Sequence, residues 1–166
     1  IIAIGVGLTA GTNTLIGNNI GANNKKKASL FVAQSIIFAI FLSILVTFFG
    51  LNVSDFLLSI MGSDQEGIIL SRKYLDIIFY GTVIVLIQIS LNGALNAQGD
   101  TKSYRNVLIF SFFLNIFLNP LFIFGYGFVP AFGIAGLAIA TVVAQFIGLL
   151  YLAHKVYCCE LKQYLK

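Results

Sequence analysis

The chain has 166 residues, 58% of them hydrophobic and only 10% charged, with a formal net charge of +4; its mean hydropathy is +0.95. Soluble domains carry about 25% charged residues, so the composition excludes one and indicates an integral membrane protein. It is expected to be all-α, because an isolated strand leaves its backbone unsatisfied in lipid.

A helix needs about 20 apolar residues to cross a hydrocarbon core roughly 30 Å thick, and five segments approach that length: residues 1–22, 29–51, 74–97, 106–124 and 133–153. The first begins at Ile1 within the pattern, without a Met or a basic leader, so at least one helix is expected to precede it. It interleaves Gly5, Gly7, Gly11, Gly17 and Gly21 with Thr9, Thr12, Asn13, Thr14, Asn18 and Asn19. That pattern suits a helix packed deep in a bundle beside a wet space. After the second span, NVSDFLLSIMGSDQEG sets Val53, Phe56, Leu57, Ile60 and Met61 at helical spacing opposite Ser54, Asp55 and Ser59. Too short to span, it predicts a short outer interfacial helix, after which Asp64, Gln65, Glu66 and Gly67 turn the chain back.

The loops give an orientation. Lys25, Lys26, Lys27, Lys102, Arg105, Lys155, Lys162 and Lys166 fall on one side if the spans alternate, whereas the other side has only Arg72 and Lys73. An excess of Lys and Arg marks cytoplasmic loops, so the Lys25–Lys27 loop and the C-terminal tail are expected in the cytoplasm. This charge bias accounts for the basic balance and requires no nucleic acid.

Polar residues inside the spans are the candidates for function, since amides and carboxylates in lipid are costly and face a bundle interior or a cavity. On the third span Gln88, Asn92 and Asn96 recur every four residues, lining either a transport cavity or a polar seam between helices. Gln34 on the second span and Gln145 on the fifth join them as cavity candidates. Asp76, four residues after Arg72, forms an interfacial ion pair or, if it turns inward, a proton or cation site.

On the fourth span Asn115 and Asn119 share one face, and Pro120 deprives the Ile116 carbonyl of its helical donor. Two amide oxygens and a freed carbonyl within about a turn either glue helices together or gather as ligands for a hard cation such as sodium. On the fifth span Gly136, Ala140, Ala144 and Gly148 make a thin face for close helix approach. Thr141 flanks that face and can offer its hydroxyl to whatever the two asparagines hold. The sequence shows no nucleophile–base–acid set and no phosphate loop, so no enzyme is expected. The pair Cys158–Cys159 has no metal-ligand spacing, and His154 falls at the solvated end of its span.

Three stretches together resemble one family. LIGNNIGANNKKKA resembles the second helix of the multidrug and toxin extrusion (MATE) transporters, and LNGALNAQGDTKSYRN resembles the exit of their fourth helix. FLNIFLNPLFIFGYGFVPAFGIAGLAIATVVAQ resembles their fifth helix, outer loop and sixth helix. The resemblance implies that residues 1–166 are helices two to six of the six-helix N-terminal lobe of a twelve-helix transporter in the plasma membrane. Its first helix and C-terminal lobe would lie outside this chain. It further implies a secondary active antiporter that exports cationic or amphipathic organic compounds in exchange for Na+ or H+, with no other cofactor.

Carried over by position, the resemblance assigns the N-lobe cation site to Asn115, Asn119 and Thr141, with Tyr74 as a fourth-helix tyrosine. Many members have Asp before Pro where this chain has Asn119–Pro120, so a negative charge is lost and sodium is favoured over a proton. A lipid-linked oligosaccharide flippase of the same superfamily is the alternative, disfavoured because no Lys or Arg lies within a span. An inactive truncated copy is the other.

Overall fold

The computed structural model describes residues 2–60, 65–125 and 130–158. They form five helices: α1 Ile2–Gly21, α2 Lys25–Ile60, α3 Gln65–Ala97, α4 Lys102–Phe124 and α5 Ile134–Cys158. The protein is all-α, and α2 to α5 are long and apolar enough to cross a membrane. In α1, 20 residues long, glycines, threonines and asparagines dilute the apolar content. Met61, Asp64, Cys159, Lys162 and Lys166 lie outside the described residues.

Two turns at the basic end use the same device. Asn23 takes a positive φ of 55°, and the Asn24 N–H donates back to Asn19 O at 2.8 Å, which closes α1. The Asn24 side chain then accepts from the Lys27 N–H at 3.2 Å and starts α2. Between α3 and α4, Gly99 takes φ 83°, a region in which a side chain is strained. Asp100 next accepts from the backbone N–H groups of Lys102 and Ser103. An αL residue ends one helix and a side-chain cap opens the next.

The short outer helix expected after the second span is not a separate element, because α2 runs unbroken through it to Ile60. At about 1.5 Å per residue α2 exceeds the hydrocarbon thickness, so its last turns project beyond it. Gly50, a natural place to end a helix, is instead where the Phe79 ring of α3 enters; a Cβ there would lie 2.2 Å from the ring. The Asn52 amide donates to Phe48 O at 2.6 Å and keeps the turn wound. Val53, Phe56, Leu57 and Ile60 are exposed, and Ser54 and Leu58 face inward.

At the centre lies α3, packed on α1, α2 and α5, while α4 packs on α5. Close approach depends on missing side chains: Gly81 admits Val142 of α5, and Gly93 admits Thr12 of α1. Within the bundle, hydrogen bonds from Thr47 Oγ1 to Phe79 O at 2.7 Å and from Ser90 Oγ to Ser35 Oγ at 2.9 Å tie α2 to α3. The main core lies toward the basic end, where Ile16, Val32, Leu91, Leu95, Val107 and Leu152 meet. Within this chain α1 buries the row Gly5, Leu8, Thr12 and Ile16. Asn13, Thr14 and Asn18 are exposed, because the row that fits α3 excludes them.

Candidate functional site

Near the end of the bundle opposite the Lys25–Lys27 loop, α3, α4 and α5 surround a cavity of about 610 Å³, with Leu58 of α2 on its wall. Its polar lining is Ser71 and Tyr74 from α3, Asn119 from α4 and Thr141 from α5. The fold thus brings together three of the four expected cation ligands, Tyr74, Asn119 and Thr141. Asn115 is not part of the lining. It sits one turn away on the same face of α4 as Asn119.

The oxygens here are poised to accept. Asn119 Oδ1 and Asn115 Oδ1 are both buried with no hydrogen-bond donor. The Asn115 amide nitrogen donates to Ser111 O at 2.9 Å, so its nitrogen is occupied while its oxygen is not. Thr141 Oγ1 donates to Leu137 O at 2.9 Å, which commits its proton to the helix and leaves its lone pairs as acceptors. Ser111 Oγ, one turn before Asn115, is also buried without a partner. Pro120 lies inside α4 and removes the donor to the Ile116 carbonyl. Buried polar groups are ordinarily hydrogen-bonded, and orphaned acceptors cost about 1–3 kcal/mol each. A row of them along one helix face therefore calls for a donor or a cation. Neutral, rich in oxygen acceptors and free of lysine or arginine, the lining suits a hard monovalent cation.

The position of α4 against α5 is set by the predicted thin face, of which Gly136, Ala140, Ala144 and Gly148 are all buried. At Gly136 the two backbones touch: an added Cβ would lie 2.4 Å from Phe122 O. The returning loop is tied to the same turn, with Phe132 N–H donating to Phe122 O at 3.0 Å and Gly133 N–H to Ile123 O at 3.2 Å.

A second cavity of about 660 Å³ lies between α1, α3 and α5, lined by Ala3, Thr82, Val142 and Gln145 among others. Thr141 lines both cavities. Of the expected cavity residues, Gln145 is placed here. Gln88, 2% exposed, lies in the seam between α3, α4 and α5, where its unpartnered Nε2 faces Gly148. Asn92 is buried and Asn96 half-buried. Gln34 is exposed on a separate groove of about 460 Å³ between α1 and α2. The five residues therefore occupy several places rather than one lining.

The Arg72–Asp76 pair forms, with Nε to Oδ2 at 3.9 Å, and Arg72 also binds Asp55 of α2. Asp76 Oδ1 is buried without a partner. Sequence reading missed Asp55 as a partner, and it missed Ser71 and Ser111. Extending the Asn115–Asn119 row back by one turn would have found Ser111, and stepping back one turn from Tyr74 would have found Ser71.

The MatE family model matches residues 1–121. The chain belongs to the MatE family. It is 30% identical over 148 residues to the FAD transporter of Shewanella oneidensis, covering 89% of this chain and 32% of the relative. To the "Probable multidrug resistance protein YoeA" of Bacillus subtilis it is 31% identical over 153 residues, covering 92% of this chain and 33% of the relative. Among solved structures, the inward-facing conformation of a multidrug resistance MATE family transporter of the MOP superfamily superposes with a TM-score of 0.87 at 30% identity. That match covers 96% of this MatE chain and 35% of the other. The chain thus spans about a third of the length of the curated relatives it matches. Membership and four apolar spans together make it a multi-pass membrane protein.

Proposed function

We propose that this chain is the greater part of one lobe of a twelve-helix, cation-coupled exporter of organic compounds. The α3/α4/α5 cavity holds the coupling cation and the adjoining α1/α3/α5 cavity forms part of the substrate path. The observation that carries this reading is the pair of buried amide oxygens, Asn115 Oδ1 and Asn119 Oδ1, that have no donor. Tyr74 and Thr141 supply further oxygens to a cation at Asn119, and Asn115 would offer its oxygen one turn away.

Sodium is preferred to a proton, because the polar side chains of this lining, Ser71, Tyr74, Asn119 and Thr141, include no carboxylate or histidine. The exported compounds are cationic or amphipathic. Neither cavity is lined by Lys or Arg, which would be needed to meet the phosphates of a flavin dinucleotide or a lipid-linked oligosaccharide. The basic end faces the cytoplasm of a plasma-membrane protein. Export driven by imposed sodium and proton gradients, measured on the full chain, tests the reading. Asn115→Ala lowers the sodium dependence, and Asn119→Asp adds a pH dependence. Unchanged sodium and pH profiles in both variants would overturn it.

A further inference from the structure

Toward the basic end, α4 and α5 leave a groove of about 320 Å³ between them on the outside of the bundle. Its walls are almost wholly apolar, with Phe110 and Val107 on one side and Ile147 and Tyr151 on the other. Its floor is Gly148, where the absence of a side chain lets Val107 and Gln88 close in behind. Phe110, Ile147 and Tyr151 are exposed. None of these residues belongs to the cavities described above.

The mouth of the groove differs from its walls. Lys155 Nζ lies 5.8 Å from the centroid of the Tyr151 ring, which holds one cation over a groove residue. Arg105 Nη2 donates to Asn106 Oδ1 at 3.3 Å, and Asn106 is itself part of the lining. Two cations are therefore fixed at the same end, one from each helix. Among the described residues Asp100 is a carboxylate within electrostatic reach of Lys155, and it is already engaged by Ser103 and by the Lys102 N–H. From Gly148 to Lys155 is about 10 Å along the helix at 1.5 Å per residue, the depth from a headgroup into the upper acyl region.

We propose that this groove binds one anionic phospholipid, its phosphate between Arg105 and Lys155 and an acyl chain along Phe110, Ile147 and Tyr151. Basic pockets between membrane helices are a recurrent site for anionic headgroups. The commitment to an anionic lipid rests on the pairing of a charged mouth with a greasy slot: a free anion leaves the slot empty, and a zwitterionic lipid brings its own cation beside Arg105 and Lys155.

Native mass spectrometry of the full chain, titrated with phosphatidylglycerol and phosphatidylcholine, tests this. The expected result is one phosphatidylglycerol retained in preference to phosphatidylcholine. Arg105→Gln with Lys155→Gln lowers that preference by about fivefold for each cation removed. Ile147→Trp, which fills the slot and keeps both charges, also removes the tight lipid. Lys26→Gln with Lys27→Gln removes two charges from the same end outside the groove and leaves it bound. Three results would overturn the proposal: no headgroup preference in the unaltered protein, equal loss in the Lys26/Lys27 variant, or full retention in Ile147→Trp.

Discussion

The Gly136→Ala substitution tests whether the site depends on backbone contact between α4 and α5. The added Cβ would lie 2.4 Å from Phe122 O, 2.6 Å from Phe122 C and 2.9 Å from Ile123 N. All three are main-chain atoms of α4 and cannot rotate away. Ordinary contact begins near 3.4 Å, so the two helices must part by about 1 Å. Overpacking of this kind costs about 1–3 kcal/mol. Gly5→Ala is the control, because its Cβ would meet Ile89 Cδ1 at 2.7 Å, the far end of a side chain that can turn aside. Its cost should stay below about 1 kcal/mol. Reversible unfolding in mixed micelles measures both. Asn119 lies one turn before Phe122 and Thr141 a turn and a half after Gly136, so the same displacement should also weaken cation binding. Equal stability losses in the two variants, or an unmoved midpoint for Gly136→Ala, would mean that backbone contact at Gly136 does not hold α4 against α5.

Removing the cap at Asp100 by Asp100→Ala should cost about 0.5–2 kcal/mol in the same unfolding assay. The Ser103 hydroxyl, then the backbone N–H groups of Ser103 and Lys102 and the charge of Lys155, outweigh partial burial and hold this carboxyl below its ordinary value of 3.8. A lowered folded value means that the stabilisation is complete above the ordinary carboxylate range and is lost as pH falls through the lowered value. The difference between the parent and Asp100→Ala should therefore be flat from pH 5 to 8 and shrink only in strong acid. At the other end, Arg72→Gln releases both Asp55 and Asp76, whereas Asp55→Asn breaks only the tie to α2. Hydrogen exchange over residues 52–60 should accelerate in both variants, and equal protection in the parent would show that the ion pair does not hold this extension. Exposed pairs contribute little, about 0–1 kcal/mol, so the global midpoint should barely move.

The helices and their order were legible because a span announces itself by length and hydropathy, and the thin face of α5 because small residues recurred every four positions. The continuation of α2 past Gly50 was not legible, since a stretch too polar and short to span reads as an element of its own unless the Phe79 ring packed at Gly50 is known. Polar and glycine content showed that α1 can pack closely, not which of its sides faces α3. At the site, the i, i+4 spacing of Asn115 and Asn119 gave their common face. That Asn119 shares a cavity with Tyr74 and Thr141 was expected only through the family resemblance, because residues on three helices meet there by tertiary packing that spacing along one helix does not show. The amides grouped as a cavity lining divided among several places, because Gln34 faces a groove against α1 and Gln88 turns into the seam at Gly148.

Sodium binding to the purified full chain, by calorimetry in a sodium-free buffer, bears most directly on the cation site. One saturable site is expected, its affinity falling about tenfold to a hundredfold in Asn119→Ala, as expected for loss of one charge-bound oxygen. A smaller fall is predicted in Thr141→Val. Parental sodium affinity in both variants would contradict the assignment of the α3/α4/α5 cavity.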